Sequence, residues 1–364
     1  MKGLYIHIPF CRHKCLYCNF YSMPYEYDLA YSFISVILKQ IAELEPGFSS
    51  VYIGGGTPSI LDIRLLDRFL SGLKGIIEKD VEFTIEVNPE SIDEDKLKLF
   101  LDRGVNRISI GVQSFEDIKL KLLGRVHDAV QAGRVIELAE KSGFRNISID
   151  MIFGVNGEDL SLWQEDLQKL TGFNVNHLSC YSLTYEKGTS LFNMKDKGVN
   201  EEILADMYRF AMAYLPTKGL QHYEVSNFAK PGFECRHNLN YWDNNSYIGL
   251  GPSGVSCIDG MRSENISDVI EYIKMYEKGL DLKVSKEKLP PLESAKETAS
   301  LKIRTRQGIN YDWFKHKTGF DFNEIEKDAV SDLIEQGLIE SRDGRVQLTQ
   351  KGFLFSDTVS AAFL

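Results

Sequence analysis

Short β-rich runs alternate with longer amphipathic ones through the first half of the chain, and that alternation constrains the fold more than any other feature. The runs are Leu4–Pro9, Ser50–Ile53, Glu82–Val87, Asn106–Ile110, Asn146–Ile149 and Val175–Tyr181. Helical periodicity fills the gaps at Tyr31–Leu44, Leu61–Ile77, Glu94–Leu101, Ala129–Lys141 and Leu160–Leu170. Six βα units predict an α/β fold with a parallel sheet. A strand that reaches its parallel neighbour through a helix crosses right-handed, so repetition curls the sheet towards a barrel. Six units fall short of a closed barrel, and a partial (β/α)6 barrel, open on one side, is expected over residues 1–220.

The rest of the chain reads differently. Residues 221–290 hold a stretch rich in Asn, Gly, Tyr and Phe with weak periodicity, ending in the linker-like Lys288-Leu-Pro-Pro291. Residues 291–364 read as helices at Leu292–Ile303, Tyr311–Lys317 and Phe322–Gln336, then a hairpin at Leu338–Leu348 turning at Asp343-Gly344. That order predicts a winged-helix-like C-terminal domain. It carries 10 Lys+Arg against 12 Asp+Glu, and the whole chain has a net charge of −10. A nucleic-acid module should be basic, so the tail is expected to pack or cover rather than bind DNA. The N-terminal run is broken by His7 and Pro9 and fits neither a signal peptide nor a membrane span. Clustered cysteines without a secretion signal point to a reducing, cytoplasmic setting. A peripheral contact with the inner face of the cell membrane and a homodimer are left open by the sequence.

Chemistry concentrates at Cys11, Cys15 and Cys18, in Cys11-Arg-His-Lys-Cys-Leu-Tyr-Cys18. A [4Fe–4S] cluster usually takes four thiolates. Three thiolates leave one iron open, and an open position lets a metal bind a reactant. The alternative is a zinc site completed by His13 or His7, although zinc ligands usually come as two separated pairs. The other cysteines, Cys180, Cys235 and Cys257, are isolated. Further polar residues sit at or after strand ends, where ligand sites of parallel barrels gather. Gly54-Gly-Gly-Thr-Pro-Ser59 follows the second run, Glu86 and Asn88 end the third, Gln113 follows the fourth and Asp150 ends the fifth. The glycines allow close backbone approach, and their free N–H groups could face an anion. The segment lacks both the phosphate-loop and the dinucleotide-fold spacing. Arg125 offers a planar fork for a carboxylate. A carboxylate such as Glu86 among apolar strand residues needs a partner.

Taken together, these motifs resemble the HemN/HemW branch of the radical S-adenosylmethionine (SAM) superfamily. The resemblance spans nearly the whole chain, through Tyr5-Ile-His-Ile-Pro-Phe-Cys11, Gly54–Ser59, Gly111–Phe115, Leu123–Arg125, Tyr181-Ser-Leu-Thr184 and the tail. It implies a [4Fe–4S] cluster on Cys11, Cys15 and Cys18 whose open iron chelates SAM, with an electron from a flavodoxin or ferredoxin-type donor cleaving a carbon–sulfur bond. It implies a SAM site of Tyr5, Gly55, Gly56, Thr57, Glu86, Gln113, Arg125 and Asp150. In that site Glu86 would meet the ribose hydroxyls, Arg125 the SAM carboxylate and Asp150 the ribose or a nearby base.

The branch holds two kinds of protein. The oxygen-independent coproporphyrinogen III oxidases carry a fourth cysteine two residues after the third, where this chain has Phe20, and a long arm before the cluster, where ten residues precede Cys11. The haem chaperones carry His-Asn-x-x-Tyr-Trp, which stands here as His237-Asn-Leu-Asn-Tyr241-Trp242. The resemblance therefore implies a chaperone that takes haem as cargo and delivers it to respiratory haemoproteins. His237 is then the expected axial ligand and Tyr241 and Trp242 the aromatic faces for the macrocycle. The alternative is a porphyrinogen oxidase or a HemN-like methyltransferase. One departure stands out: Gly254-Val255 occupies the place where relatives often carry Ala-His.

Overall fold

A computed structural model describes residues 2–193 and 198–364. Six parallel strands form its centre: β1 (Gly3–Ile8), β2 (Phe48–Gly55), β3 (Ile77–Val87), β4 (Arg107–Gln113), β5 (Asn146–Phe153) and β6 (His177–Ser182). Alternation sorts their side chains. Ile6, Ile53, Ile85, Ile108, Ile149 and Leu178 are buried in the main hydrophobic core, while Tyr52, Glu86, Ser109, Asp150 and Tyr181 line a cavity inside the curl. The helices between strands pack on the outside. Four of them start on an aspartate whose carboxylate accepts an orphan N–H of the first turn: Asp62 for α2 (Ile63–Gly72), Asp93 for α3 (Glu94–Asp102), Asp128 for α5 (Ala129–Ser142) and Asp159 for α6 (Leu160–Leu170). The first helix, α1 (Tyr27–Ala42), begins four residues earlier than its periodicity suggests. A short helix, α4 (Asp117–Leu122), follows β4.

The sheet is larger than six strands. Its twelve strands run β12-β11-β10-β9-β1-β2-β3-β4-β5-β6-β8-β7, where β7 is Gln221–Glu224, β8 Asn227–Ala229, β9 Tyr247–Leu250, β10 Val255–Ile258, β11 Met261–Asn265 and β12 Lys283–Lys288. Strand β9 adds a seventh parallel member beside β1. The others extend both edges antiparallel. The sheet stays open, and its edge strand β12 is the charged Lys-Val-Ser-Lys-Glu-Lys, a composition that discourages edge-to-edge pairing. The weakly periodic stretch at 221–290 thus supplies strands to both edges of the same sheet. It also supplies helix α8 (Arg236–Trp242) and helix α9 (Val269–Glu277). Helix α7 (Glu201–Thr217), with Pro216 in its last turn, was not evident in the periodicity.

Two expected boundaries move. The helix expected over Leu61–Ile77 stops at Gly72, and Ile77 already belongs to β3. The fifth strand runs on to Phe153 because Met151, Ile152 and Phe153 keep pairing with β6, so Asp150 stands mid-strand rather than at its end. The tail holds α10 (Pro291–Lys302), α11 (Tyr311–Thr318), α12 (Phe322–Ile325) and α13 (Lys327–Glu335), followed by the hairpin β14 (Ile339–Arg342) and β15 (Arg345–Leu348). The two-residue strand β13 (Ile309–Asn310) pairs with β15, which gives the three-stranded sheet of a winged-helix-like domain. Only Leu289 and Pro290 separate β12 from α10. No helix among the described residues is long and apolar enough to cross a membrane.

Helix α8 seals the N-terminal end of the barrel. Glu82 accepts the N–H groups of Arg236 at 2.8 Å and His237 at 2.9 Å, which anchors the start of the helix in a buried place. Replacing Glu82 by Ala would strand both N–H groups, at a cost of about 2–3 kcal/mol. A fall in thermal unfolding temperature is expected for Glu82→Ala, and the charge-neutral Glu82→Gln should recover part of it.

Candidate functional site

A cavity of about 470 Å³ opens at the C-terminal ends of the parallel strands. Cys11, Cys15 and Cys18 line one wall, and Gly55, Gly56, Thr57, Glu86, Gln113, Arg125 and Asp150 line the rest. Residues from five strands or the loops after them therefore meet in one place. Tyr5 is the exception: its hydroxyl bonds His7 Nδ1 at 3.1 Å and its ring neighbours Tyr52, so it backs the cavity without lining it.

Each glycine after β2 answers a separate steric demand. A Cβ at Gly54 would lie 2.8 Å from the Glu86 carboxyl group, and one at Gly56 would lie 2.6 Å from the carbonyl oxygen of Phe10. Gly55 has a φ of +106°, and a Cβ there would strike His7 Nδ1 at 2.4 Å. The N–H groups of this segment do not await an external anion, contrary to the expectation from sequence. Gly55 N–H donates to Glu86 at 3.1 Å, Gly56 N–H to Ile8 O and Thr57 N–H to Phe10 O. The anion is the chain's own carboxylate.

Glu86 also accepts from the Tyr52 hydroxyl at 2.8 Å. Burial first, and the nearby Asp150 second, push its carboxyl up to about 7, although the bonds from Tyr52 and Gly55 pull the other way. Burial likewise raises Asp150, which accepts from Ser109 at 3.1 Å. Arg125 donates to Asn88 Oδ1 at 2.6 Å and Gly111 O at 2.7 Å, and touches Cys15 Sγ at 3.4 Å. Its buried Nε has no partner among the protein groups. Asn88 passes the connection on, donating to Thr57 Oγ1 at 2.9 Å, and Thr57 in turn reaches Cys11 Sγ at 3.5 Å. Gln113 holds a φ of +68°, an uncommon conformation for this residue type, just before a turn pinned by Asp166, which accepts from Ser114 Oγ and Phe115 N–H at 2.7 Å each. Burial raises Cys11 and Cys18, while hydrogen bonds from Thr57 to Cys11 and from the Phe20 backbone to Cys18 pull the other way. Among the described residues, no three His, Cys, Asp or Glu groups converge to hold a single metal ion. His7, one of the zinc alternatives, has Nε2 bonded to Tyr21 O and Nδ1 to Tyr5.

The second expected site lies elsewhere. His237 is 1% exposed, with Nδ1 bonded to Ser50 Oγ at 2.9 Å and Nε2 to the Tyr241 hydroxyl at 3.0 Å. Its ring stacks on Tyr52 at 5.2 Å between centroids, beneath the cavity. Burial pulls its pKa down to about 3, which keeps the ring neutral. Tyr241 packs edge-on against His237, and Trp242 lies under the Arg304 guanidinium. A haem iron reaches His237 in this arrangement only if α8 leaves the barrel floor. Gly254, at the departure from relatives, sits in a tight turn where a Cβ would meet the carbonyls of Gly251 and Leu250 at 2.9 and 3.0 Å.

Sequence reasoning missed Tyr52 as a member of the site and gave Asn88 no role beyond its place at the end of the third run. Each bonds to a residue that was singled out, Tyr52 to Glu86 and Asn88 to Arg125; Tyr52 alternates with the core residues Val51 and Ile53 in β2, which is the signal that could have found it.

The fold matches that of known proteins over the whole chain. The model of the radical SAM superfamily matches residues 5–170, and that of the HemN C-terminal domain matches residues 289–355. The solved structure of coproporphyrinogen III oxidase (HemN) from Escherichia coli, a radical SAM enzyme, superposes with a TM-score of 0.87 at 20% identity, covering 100% of this chain and 89% of that one. Together these define a radical SAM protein of the HemN type. The haem chaperone HemW of Lactococcus lactis is 34% identical over 100% of this chain and 97% of its own. That of Bacillus subtilis is 34% identical over 100% and 99%. The chain belongs to the HemW family of haem chaperones.

The raised carboxyl of Glu86 has a consequence for stability. In the folded chain it holds its proton from its ordinary value of 4.5 up to about 7, whereas the unfolded chain releases it at 4.5. Stability therefore falls as pH rises across that window. Thermal melts of the apoprotein between pH 4.5 and 8 should show a smaller fall for Glu86→Gln than for the natural chain.

Proposed function

We propose that this chain binds haem as cargo and passes it to haem-requiring proteins, respiratory ones among them, on a radical SAM core loaded with a [4Fe–4S] cluster and SAM. The observation that carries the reading is full-length similarity to curated haem chaperones, 34% identity over the whole chain and nearly the whole relative. Cys11, Cys15 and Cys18 would hold the cluster, and the lining residues fit SAM. When bound, the pair supplies a one-electron reductant beside a sulfonium.

This chain's residues do the positioning. Arg125 lines the cavity, where its guanidinium would meet a carboxylate, while its Nη2 ties Asn88 and the Gly111 carbonyl in place. Glu86, fixed by Tyr52 and Gly55, presents acceptor oxygens to ribose hydroxyls. Thr57 bridges the glycine segment to Cys11, so the cofactor wall and the cluster wall move as one. Phe20, where the oxidases place a fourth cysteine, offers no thiol. A flavodoxin or ferredoxin would suit as electron donor.

Two measurements test the reading. Haemin titrated into anaerobic, cluster-loaded protein should give a saturable Soret band, and the product should transfer haem to an apo-haemoprotein. Turnover of coproporphyrinogen III to protoporphyrinogen would overrule it in favour of the oxidase. SAM affinity, followed by its effect on the reduced cluster's EPR spectrum, should fall as pH drops below about 7, by up to about tenfold per unit, because Glu86 must be ionised to accept two hydroxyls. Glu86→Gln should bind SAM more weakly with a flat pH dependence. Cys15→Ser should reduce the iron content sharply.

A further inference from the structure

Resting on the haem reading above, we infer that the haem docks over the mouth of the cavity with His13 of the cysteine loop as its axial ligand, and not at His237. The argument begins with all seven histidines. His7, His127, His177 and His237 are at most 4% exposed, and each has ring nitrogens engaged by protein groups. His222 is clamped between the rings of Phe228 and Phe353 with Nε2 near Val225 O. Only His13 and His316 are exposed, and only His13 lines the cavity. It makes no hydrogen bond or ion pair with the described residues. An iron ligand needs an unencumbered lone pair on an accessible imidazole, and His13 is the histidine that has one beside the cavity.

Its surroundings suit a macrocycle with two carboxylates. Phe20 is 65% exposed and Val126 52% exposed, and both line the same mouth. Exposed apolar side chains at the rim of a cavity mark a docking surface. Arg12 and Lys14 flank His13 and are exposed, so two cations stand beside the imidazole for two propionates. The inside of the cavity is acidic by contrast, with Glu86, Glu90 and Asp150 on its walls. A dianionic ligand is therefore favoured at the rim and opposed within.

The test compares variants of cluster-loaded protein, with iron and sulfide content and the SAM-induced EPR change confirming that each retains its loop. His13→Ala should raise the apparent haem Kd by about tenfold or more and move the Soret maximum, while His237→Gln changes neither. His13→Gln serves if His13→Ala loses iron. Arg12→Ala/Lys14→Ala should weaken haemin binding but not binding of its dimethyl ester, which lacks the carboxylate charges. Unchanged binding in the His13 variants, or loss of binding in His237→Gln with the fold intact, overturns the assignment. A natural chain that takes up no haem sinks the haem reading itself, which is a separate result.

Discussion

One carboxylate inside the barrel ties the architecture together. Glu86 is bonded from one side by the Tyr52 hydroxyl and from another by the Gly55 N–H, and Gly54 makes room for it by having no side chain. The same Tyr52 stacks on His237, and His237 is held through its N–H by Glu82. The barrel floor, its middle layer and the glycine segment at its mouth are thus three contacts of one network. An unpaired buried carboxylate costs free energy. The Tyr52 hydroxyl, the Gly55 N–H and the absent side chain of Gly54 compensate Glu86 only in part, since burial and the nearby Asp150 still push its carboxyl up to about 7.

This arrangement gives the His-Asn-x-x-Tyr-Trp segment a structural role that its composition does not advertise. Ser50, Tyr241 and Glu82 satisfy His237, and the ring supports Tyr52 from below. A neutral imidazole is required there, since a second proton would face Arg107, whose charge already lowers the pKa of His237. The motif therefore supports the Tyr52–Glu86 wall of the cavity from below, at a distance from the cavity mouth.

The parallel core was legible because strands buried on both faces of a helix-covered sheet carry apolar residues at every outward position, as Ile108 and Ile110 do in β4. The residues at its mouth were legible because the fold collects them there. What stayed hidden depends on pairing rather than on composition. Strand β12 has one apolar residue in six and exists because β11 offers it a ladder. Asp150 reads as a strand end until the register of Met151 to Phe153 with β6 is known. His237 was visible as a motif, but its place under the barrel follows from two N–H bonds to Glu82, a residue more than 150 positions earlier. Tyr52 and Asn88 act on other side chains, and three-dimensional adjacency identifies which ones.

The distribution of charge gives one opening two regions of opposite character. The barrel interior holds Glu82, Glu86 and Asp150 with Arg107 as their buried counter-ion, and Arg107 Nε and Nη1 lack a hydrogen-bonding partner. Burial makes each additional ionised carboxylate there costly; it pushes Glu86 up to about 7 and raises Asp150. Arg12 and Lys14 stand outside this field on the loop of the cluster cysteines, where solvent screens them from the interior acids. The interior of the cavity thus favours positive charge, and the exposed rim beside the cysteines favours negative charge.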